Sequence, residues 1–307
     1  MVEIRRFEAS DLEALRDLLR QPELASEFDI LQAPHAVEAW IADPYRDPGL
    51  HFMAWRDGRL VGFASPYVLP GRDAGFAMTR LGVRADARRQ GLGTALLERA
   101  SAGISERHRA IAEFCVSAWL PSPEAETFVA RHGFQHTRRF WLMERPRGAV
   151  AVPEWPAGIR LAGAEDSARH FRDLSIVYND SFEHHYHAIL ATPDQARALY
   201  TRPGFRTDGY VMAYRGEECV GFCRCDLHGE RGEVSVLGTS QAARAIGLGR
   251  ALLRWGVEWL ERAGTARVTL LVDGENENAL RLYRSEGFEV VRTRASWGRP
   301  IHSGAAA

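Results

Sequence analysis

The sequence predicts an α/β fold, of the α+β mixed-sheet kind, built twice as two tandem domains related by internal duplication. Three observations predict it. A chain of 307 residues, 46% hydrophobic, is longer than one core usually organises. Similar segments recur in the same order at an offset of about 155 residues, as from Ile4 to Ile159. A strand, a glycine-rich turn and an amphipathic helix follow one another in both halves.

Each element has a counterpart. Ile4-Arg5, Ala9, Asp11 and Arg16-Asp17-Leu18, a strand leading into a helix, recur as Ile159-Arg160, Ala164, Asp166 and Arg172-Asp173-Leu174. A hairpin, MAWRDGRLVGF at 53–63, recurs as MAYRGEECVGF at 212–222, with strands expected at 210–214 and 219–225 about a turn at Arg215-Gly216-Glu217. After the second glycine-rich turn, Leu248, Ala251, Leu252, Trp255, Trp259 and Leu260 keep helical spacing, and Gly264 supplies a stop. Strand VTLLV at 268–272 and a last helix follow, closed by EGF ending at Phe288 where the first half has HGF ending at Phe134. The Pro- and Gly-rich stretch 146–158 suits a connector, placing the domains at 1–148 and 157–300; the tail from Arg299 is expected to fray.

Composition excludes several chemistries. All 39 basic residues are Arg, so a Walker-type lysine, a Schiff-base lysine and a Ser-Lys dyad are impossible. Net charge is −1, from 39 basic and 40 acidic side chains, which argues against a general polyanion binder. Apolar runs stop short of membrane-spanning length and the first residues carry no apolar signal core, so a cytoplasmic protein with no nucleic-acid or membrane partner is expected. Four cysteines without a CxxC pair do not suggest a disulfide framework. Cys223 and Cys225 read as small residues on one strand face. His184, His185, His187 and His228 with those cysteines match no standard zinc spacing, and no metal is expected; the aromatic and His-rich loop at 183–198 reads as a substrate wall.

The glycine-rich turns carry the chemistry. Leu237-Gly238-Thr239 ends a strand, and Arg244-Ala245-Ile246-Gly247-Leu248-Gly249-Arg250 then opens a helix. In the first half Leu81-Gly82-Val83 is followed by Arg88-Arg89, Gly91, Gly93 and Thr94 at the same spacing. Small residues at a helix N-terminus leave backbone N–H groups open to a pyrophosphate, and an Arg adds a charge-assisted bond. A dinucleotide fingerprint needs a third glycine where Leu96 and Leu252 stand, so that reading is disfavoured.

With R-x-x-G-x-G in both halves and N-x-x-A-x-x-L-Y-x-x-x-G-F in the second (Asn276, Ala279, Leu282, Tyr283, Gly287, Phe288), the chain resembles the GNAT superfamily of acyl-CoA N-acyltransferases. The resemblance implies acetyl-CoA as co-substrate, its pyrophosphate on the glycine-rich turn and its pantetheine arm between splayed strands. Backbone at Leu237 to Thr239 and the turn from Arg244 to Arg250 then become cofactor contacts, and Asn276 a bond to the pantetheine or to nearby backbone, with Leu81, Gly82, Val83, Arg88, Arg89, Gly91, Gly93 and Thr94 as first-half counterparts of the strand end and turn. GEVSVLG at 232–238 and the tandem arrangement are similar to members that acetylate a small amino-sugar conjugate.

Acetyl transfer needs a deprotonated amine, a polarised carbonyl and a proton for the leaving thiolate. Glu233 is the candidate base: period-two alternation puts Glu233, Ser235 and Leu237 on one strand face. Tyr283 is the candidate acid, sharing a helical stripe with Asn276 and Ala279. A strand N–H near Gly238 or Thr239 would polarise the carbonyl. Alignment through the LG motif places Ala77 opposite Glu233; through the GF motif it places Val129 opposite Tyr283 and Ser122 opposite Asn276. Catalysis is therefore expected in the second half alone, with the first half holding acetyl-CoA as a structural ligand or using Tyr67, Glu124 or His132 differently. The expected function is acetylation of a small-molecule primary amine by a monomer. A protein or peptide N-terminal acetyltransferase and a non-catalytic acetyl-CoA-binding module are the alternatives.

Overall fold

The computed structural model describes residues 2–33, 35–71, 74–200 and 205–301. Two compact units emerge, Met1–Arg139 with Arg294–Ala307, and Phe140–Thr293. Each contains a mixed sheet with apolar layers on both faces.

In the first unit, β1 (Val2–Arg6) leads into α1 (Leu12–Leu19), α2 (Pro22–Ala25) and α3 (Ala36–Ile41). The antiparallel strands β2 (Phe52–Arg56), β3 (Arg59–Leu69) and β4 (Gly75–Val83) follow. Helix α4 (Leu92–Arg107) crosses to β5 (Ile111–Leu120), parallel to β4, and α5 (Pro123–Arg131) leads into β6 (Gln135–Pro146). Leu15, Leu18, Trp40, Met53 and Phe63 fill one side of the sheet, and Leu96, Leu97, Ile104 and Phe114 the other.

The second unit repeats the plan. Strand β7 (Ile159–Gly163), α6 (Ala168–Ser181) and α7 (Pro193–Tyr200) precede β8 (Tyr210–Arg215), β9 (Glu218–His228) and β10 (Arg231–Thr239). Helix α8 (Leu248–Arg262), β11 (Arg267–Asp273), α9 (Glu277–Ser285) and β12 (Glu289–Pro300) complete the chain. Phe171, Leu174, Val177, Met212 and Phe222 pack beneath α6 and α7; Leu248, Leu252, Val257 and Leu260 of α8 pack on the opposite face with Val234, Val268 and Leu270.

The units divide differently from the expected 1–148 and 157–300. The division falls inside β6, because residues 140–146 pair antiparallel with 267–273 of β11 and belong to the second unit. The stretch 149–156 has no regular secondary structure, but Val150 and Trp155 pack against the second unit's core. The end of β12 belongs to the first unit: Ala295 and Trp297 are buried in its core, Arg294 Nε donates to Ser117 Oγ at 3.0 Å, and Ile301 N donates to Ala112 O at 3.0 Å. Arg299 and Pro300 are therefore strand residues; the remainder of the expected frayed tail, 302–307, lies outside the described residues. No described helix is long and apolar enough to cross a membrane.

Candidate active site

Strands β10 and β11 start side by side and then part. Their parallel ladder covers only 231–233 against 267–269, although the strands run on to Thr239 and Asp273. An opening thus begins just beyond Glu233, with unpaired backbone on both walls.

Ladder register relocates the candidate base. Across β9, Val234 pairs with Cys225 and Val236 with Arg224, so Ser235 is an extra, bulged residue. Val234 and Leu237 pack into the α8-side core while Val236 joins the α6/α7 side. The expectation that Glu233, Ser235 and Leu237 share one face is therefore wrong: the bulge breaks period-two alternation and turns Glu233 onto the α6/α7 face. There His228 Nε2 lies 2.9 Å from Glu233 Oε2, Ser235 Oγ donates to Asp226 Oδ2 at 2.7 Å, and Arg224 Nη2 lies 3.3 Å from the same oxygen. Sequence reasoning assigned no role to Arg224 or His228. Alternation along CRCDLH carries the signal, because it puts Arg224, Asp226 and His228 on the face opposite Cys223 and Cys225.

The two thiols pack instead under α8, where a Cβ at Gly256 would stand 3.0 Å from each; all four cysteines are free. Strand geometry thus keeps Cys223 and Cys225 on the other face of the sheet from His228. In the following loop His184 is exposed, His185 meets the Phe182 ring edge-on at 4.7 Å, and His187 stacks on Tyr186 at 3.8 Å.

Tyr283 approaches from the other side. It is half-buried, packed on the α8-side core with Leu282 and Ala279. Burial pushes its phenol up to about 12, with the Cys223 thiol adding to the effect, so it keeps its proton throughout the neutral range. Asn276 is the N-cap of α9: its Oδ1 accepts from Ala279 N at 3.1 Å, which fixes the helix that carries Tyr283.

The glycine-rich turns share one conformation. A short 3-10 turn leads to an extended Arg244 (φ −75°, ψ 159°), then to left-handed Ala245 (φ 61°) and Gly247 (φ 90°), after which α8 begins at Leu248. Arg88 (φ −70°, ψ 164°), Arg89 (φ 62°) and Gly91 (φ 78°) trace the same path into α4. As N-cap, Gly247 offers no side-chain acceptor, so the first-turn amides of α8 stay available. A Cβ at Gly247 would meet nothing within 4 Å, and one at Gly249 nothing nearer than Leu282 Cδ2 at 3.8 Å. That open cradle, directly after the parting strands, fits a pyrophosphate followed by an extended arm. Leu248 is buried and Ile246 exposed, so backbone rather than a shared side-chain surface is what the turn presents.

Details differ between the turns. Arg244 Nη2 donates to Ser181 O at the end of α6 at 3.1 Å, whereas Arg88 Nε folds back onto Val83 O at 3.0 Å. Arg250 pairs with Glu286; Thr94, its counterpart, lies 3.1 Å from His132 Nε2. Gly238 and Gly82 admit close packing: a Cβ would stand 2.7 Å from the Phe222 ring and 2.6 Å from the Phe63 ring. Leu237 and Thr239, and Leu81 and Val83, flank them at the strand ends.

A parted parallel strand pair opening onto a glycine-capped helix is the frame of an acyl-CoA-dependent N-acetyltransferase, and the chain belongs to the GNAT acetyltransferase family, whose co-substrate is acetyl-CoA. Residues 173–288 match the acetyltransferase (GNAT) family and residues 47–136 an acetyltransferase (GNAT) domain. Among its relatives, the mycothiol acetyltransferase of Amycolatopsis mediterranei is 31% identical over 268 residues, covering 82% of this chain and 85% of that protein. The mycothiol acetyltransferase of Actinosynnema mirum is 29% identical over 297 residues, 94% of this chain and 96% of its own. A solved tandem GNAT protein from the clavulanic acid biosynthesis pathway superposes with a TM-score of 0.73 over 99% of this chain and 100% of its own, at 16% identity.

Proposed function

We propose that the second unit transfers acetyl from acetyl-CoA directly to the primary amine of a small molecule of the mycothiol type, and that the first unit is catalytically degenerate. The observation that carries this reading is the placement of Glu233 by the Ser235 bulge. The carboxylate stands where β10 and β11 part, on the α6/α7 face, while Tyr283 stands on the α8/α9 face. An amine arriving from the α6/α7 side meets Glu233, which takes its proton as the nitrogen attacks, and His228 steadies the carboxylate. Asp226 supplies a second anionic group for a cationic or hydroxylated acceptor. A strand N–H near Gly238 or Thr239 polarises the carbonyl, and the Tyr283 phenol, held protonated by burial, gives its proton to the departing thiolate. Acetyl-CoA, when bound, supplies the activated acetyl group. In this reading the turn Arg244 to Arg250 cradles the pyrophosphate, and Asn276 fixes the helix bearing the acid.

Supporting the degenerate first unit, β4 runs against β3 without a bulge, so Met78 pairs with Tyr67 where Glu233 pairs with Asp226. Register thus replaces the expected counterpart Ala77 with Met78, one residue on; neither carries a carboxylate. Val129 stands at the Tyr283 position. Free-thiol release from acetyl-CoA across a panel of amino-sugar conjugates, simple alkylamines and peptides tests the assignment. Turnover with amino-sugar amines is expected. Faster turnover with peptide N-termini, or binding of acetyl-CoA with no turnover of any amine, overturns it.

A further inference from the structure

The first unit holds a buried guanidinium to which no carboxylate is hydrogen-bonded among the described residues, Asp43 acting on it only through its charge. Arg46, in the segment between α3 and β2, is only 7% exposed. Its Nη1 donates to Ser65 O at 3.1 Å and also to Ser65 Oγ, while Nε and Nη2 are buried with no hydrogen-bond partner. Its Cζ lies 3.7 Å from the Tyr67 ring centre and 4.3 Å from that of Trp40.

Nε and Nη2 form the edge of a guanidinium that matches the two oxygens of a carboxylate. At three other arginines that edge is filled: Arg107 grips Asp47 with it at 2.7 and 2.9 Å, Arg206 grips Asp208 at 2.9 and 2.7 Å, and Arg254 grips Glu286 at 2.9 and 3.1 Å. At Arg46, where burial makes an unmatched charge most costly, no side chain among the described residues fills it. A second cation adds to the demand: Arg80 Cζ lies 5.7 and 5.9 Å from the same Trp40 and Tyr67 rings. Two further buried nitrogens in the cluster have no hydrogen-bond partner, Trp40 Nε1 and His51 Nε2, the other ring nitrogen of His51 facing Ser65 Oγ. Burial, with Arg46 beside it, holds His51 at about 4, so the ring is neutral and adds no second positive charge. Arg80 and Tyr67 are half-buried and carry the cluster to the surface.

Register shows what this face became. Ser65, Tyr67 and Met78 occupy the ladder positions of Arg224, Asp226 and Glu233, so the carboxylates that would attract an amine in the second unit are absent and an unmatched cation stands in their place. We propose that the first unit binds a small carboxylate anion on its α3 face, gripped by the Nε/Nη2 edge of Arg46 and held by Arg80.

The site is tested on the full chain labelled with nitrogen-15, following the indole resonance of Trp40, assigned by its disappearance in Trp40→Phe. Acetate, succinate and inorganic phosphate are titrated separately at constant ionic strength set with chloride. Acetate or succinate is expected to shift the resonance saturably, with affinity reduced at least tenfold in Arg46→Met and at least threefold in Arg80→Met. Arg80 lies outside the buried core, so its variant keeps the test decisive if Arg46→Met fails to fold. Responses that never saturate, saturation by phosphate alone, or affinity unchanged in Arg80→Met would each overturn the proposal.

Discussion

Strand β4 runs against β3 with regular pairing, from Gly62 opposite Val83 to Leu69 opposite Phe76, whereas β10 carries Ser235 as an extra residue against β9. One inserted residue reverses the facing of everything before it. In the second unit this brings a carboxylate to the mouth of the opening; in the first, Met78 stands there and pairing with β5 continues one residue further, through Thr79 and Val116. Two copies of one architecture thus differ in chemistry through register as much as through side-chain identity. Similar glycine-rich turns can serve both, because they depend on backbone shape that the bulge does not touch.

The sharpest way to break this comparison is to remove the carboxylate that the first unit lacks. Glu233→Gln should lower kcat about 10²–10⁴-fold, the range for general acid–base catalysis, whereas deleting Ser235 should leave Glu233 opposite Asp226 on the α6/α7 face and lower kcat less. Tyr283→Phe should fall in the same range with cofactor affinity little changed, and wild-type kcat should show no loss of the acid until well above pH 10, since the folded phenol is raised to about 12. Steady-state kinetics with an identified acceptor decides this; near-normal turnover in the Glu233→Gln, Tyr283→Phe double variant would remove both from catalysis.

Next in size are the turns. Gly247→Asp forces a side chain into φ 90° and places a negative charge at the cradle, while Arg244→Glu reverses the charge beside it. Each should weaken CoA binding in the second unit by about 10- to 100-fold, equivalent to roughly 1.4–2.8 kcal/mol. Calorimetry of these variants beside Gly91→Asp counts the sites: if the first unit also holds CoA, Gly91→Asp removes that site and leaves turnover unchanged.

Packing offers a smaller contrast. Ala100 occupies in α4 the place of Gly256 in α8, and Ala64 on β3 that of Cys223, so bulk has moved from helix to strand between the copies. Gly256→Ala would press on both thiols and should cost about 1–3 kcal/mol, with Cys223→Ala restoring part of the loss in thermal denaturation.

The smallest effect belongs to the first unit alone. Burial would push the Asp47 carboxyl up, but Arg107, the Gly49 N–H and His108 outweigh it and hold it at about 2. A depressed carboxylate stabilises above its unfolded value of about 3.9, and that contribution disappears as pH falls through about 2. With Arg107 partly exposed, Asp47→Asn should cost about 1–2 kcal/mol near neutral pH, with the difference from wild type vanishing in acid. Acid titrations of both proteins, followed by the near-ultraviolet signal, provide the check.

Much of this was legible in the sequence. Repetition at a fixed offset, hairpin strands and helix-opening glycines are local patterns, and the structure contains each. Glu233 and Tyr283 stand out in the sequence as groups able to move a proton, but the facing of Glu233 is not legible there, because alternation cannot register a residue that leaves the ladder. Asn276 reads as a bond to the pantetheine or to nearby backbone, and its Oδ1 accepts from Ala279 N as the cap of its own helix. Arg46 gave no signal at all: an arginine between a helix and a strand looks solvated until Trp40 and Tyr67, from separate elements, close over it.

The first unit takes residues 294–300 of β12 into its core, with Trp297 and Ala295 buried among side chains encoded almost two hundred codons earlier. Synthesis is vectorial, so a ribosome-bound chain that already carries residues 1–139 still lacks a strand of that unit. The amino-terminal unit thus holds a strand that is synthesised after Thr293, the last residue of the second unit, and cannot be completed before that strand leaves the exit tunnel.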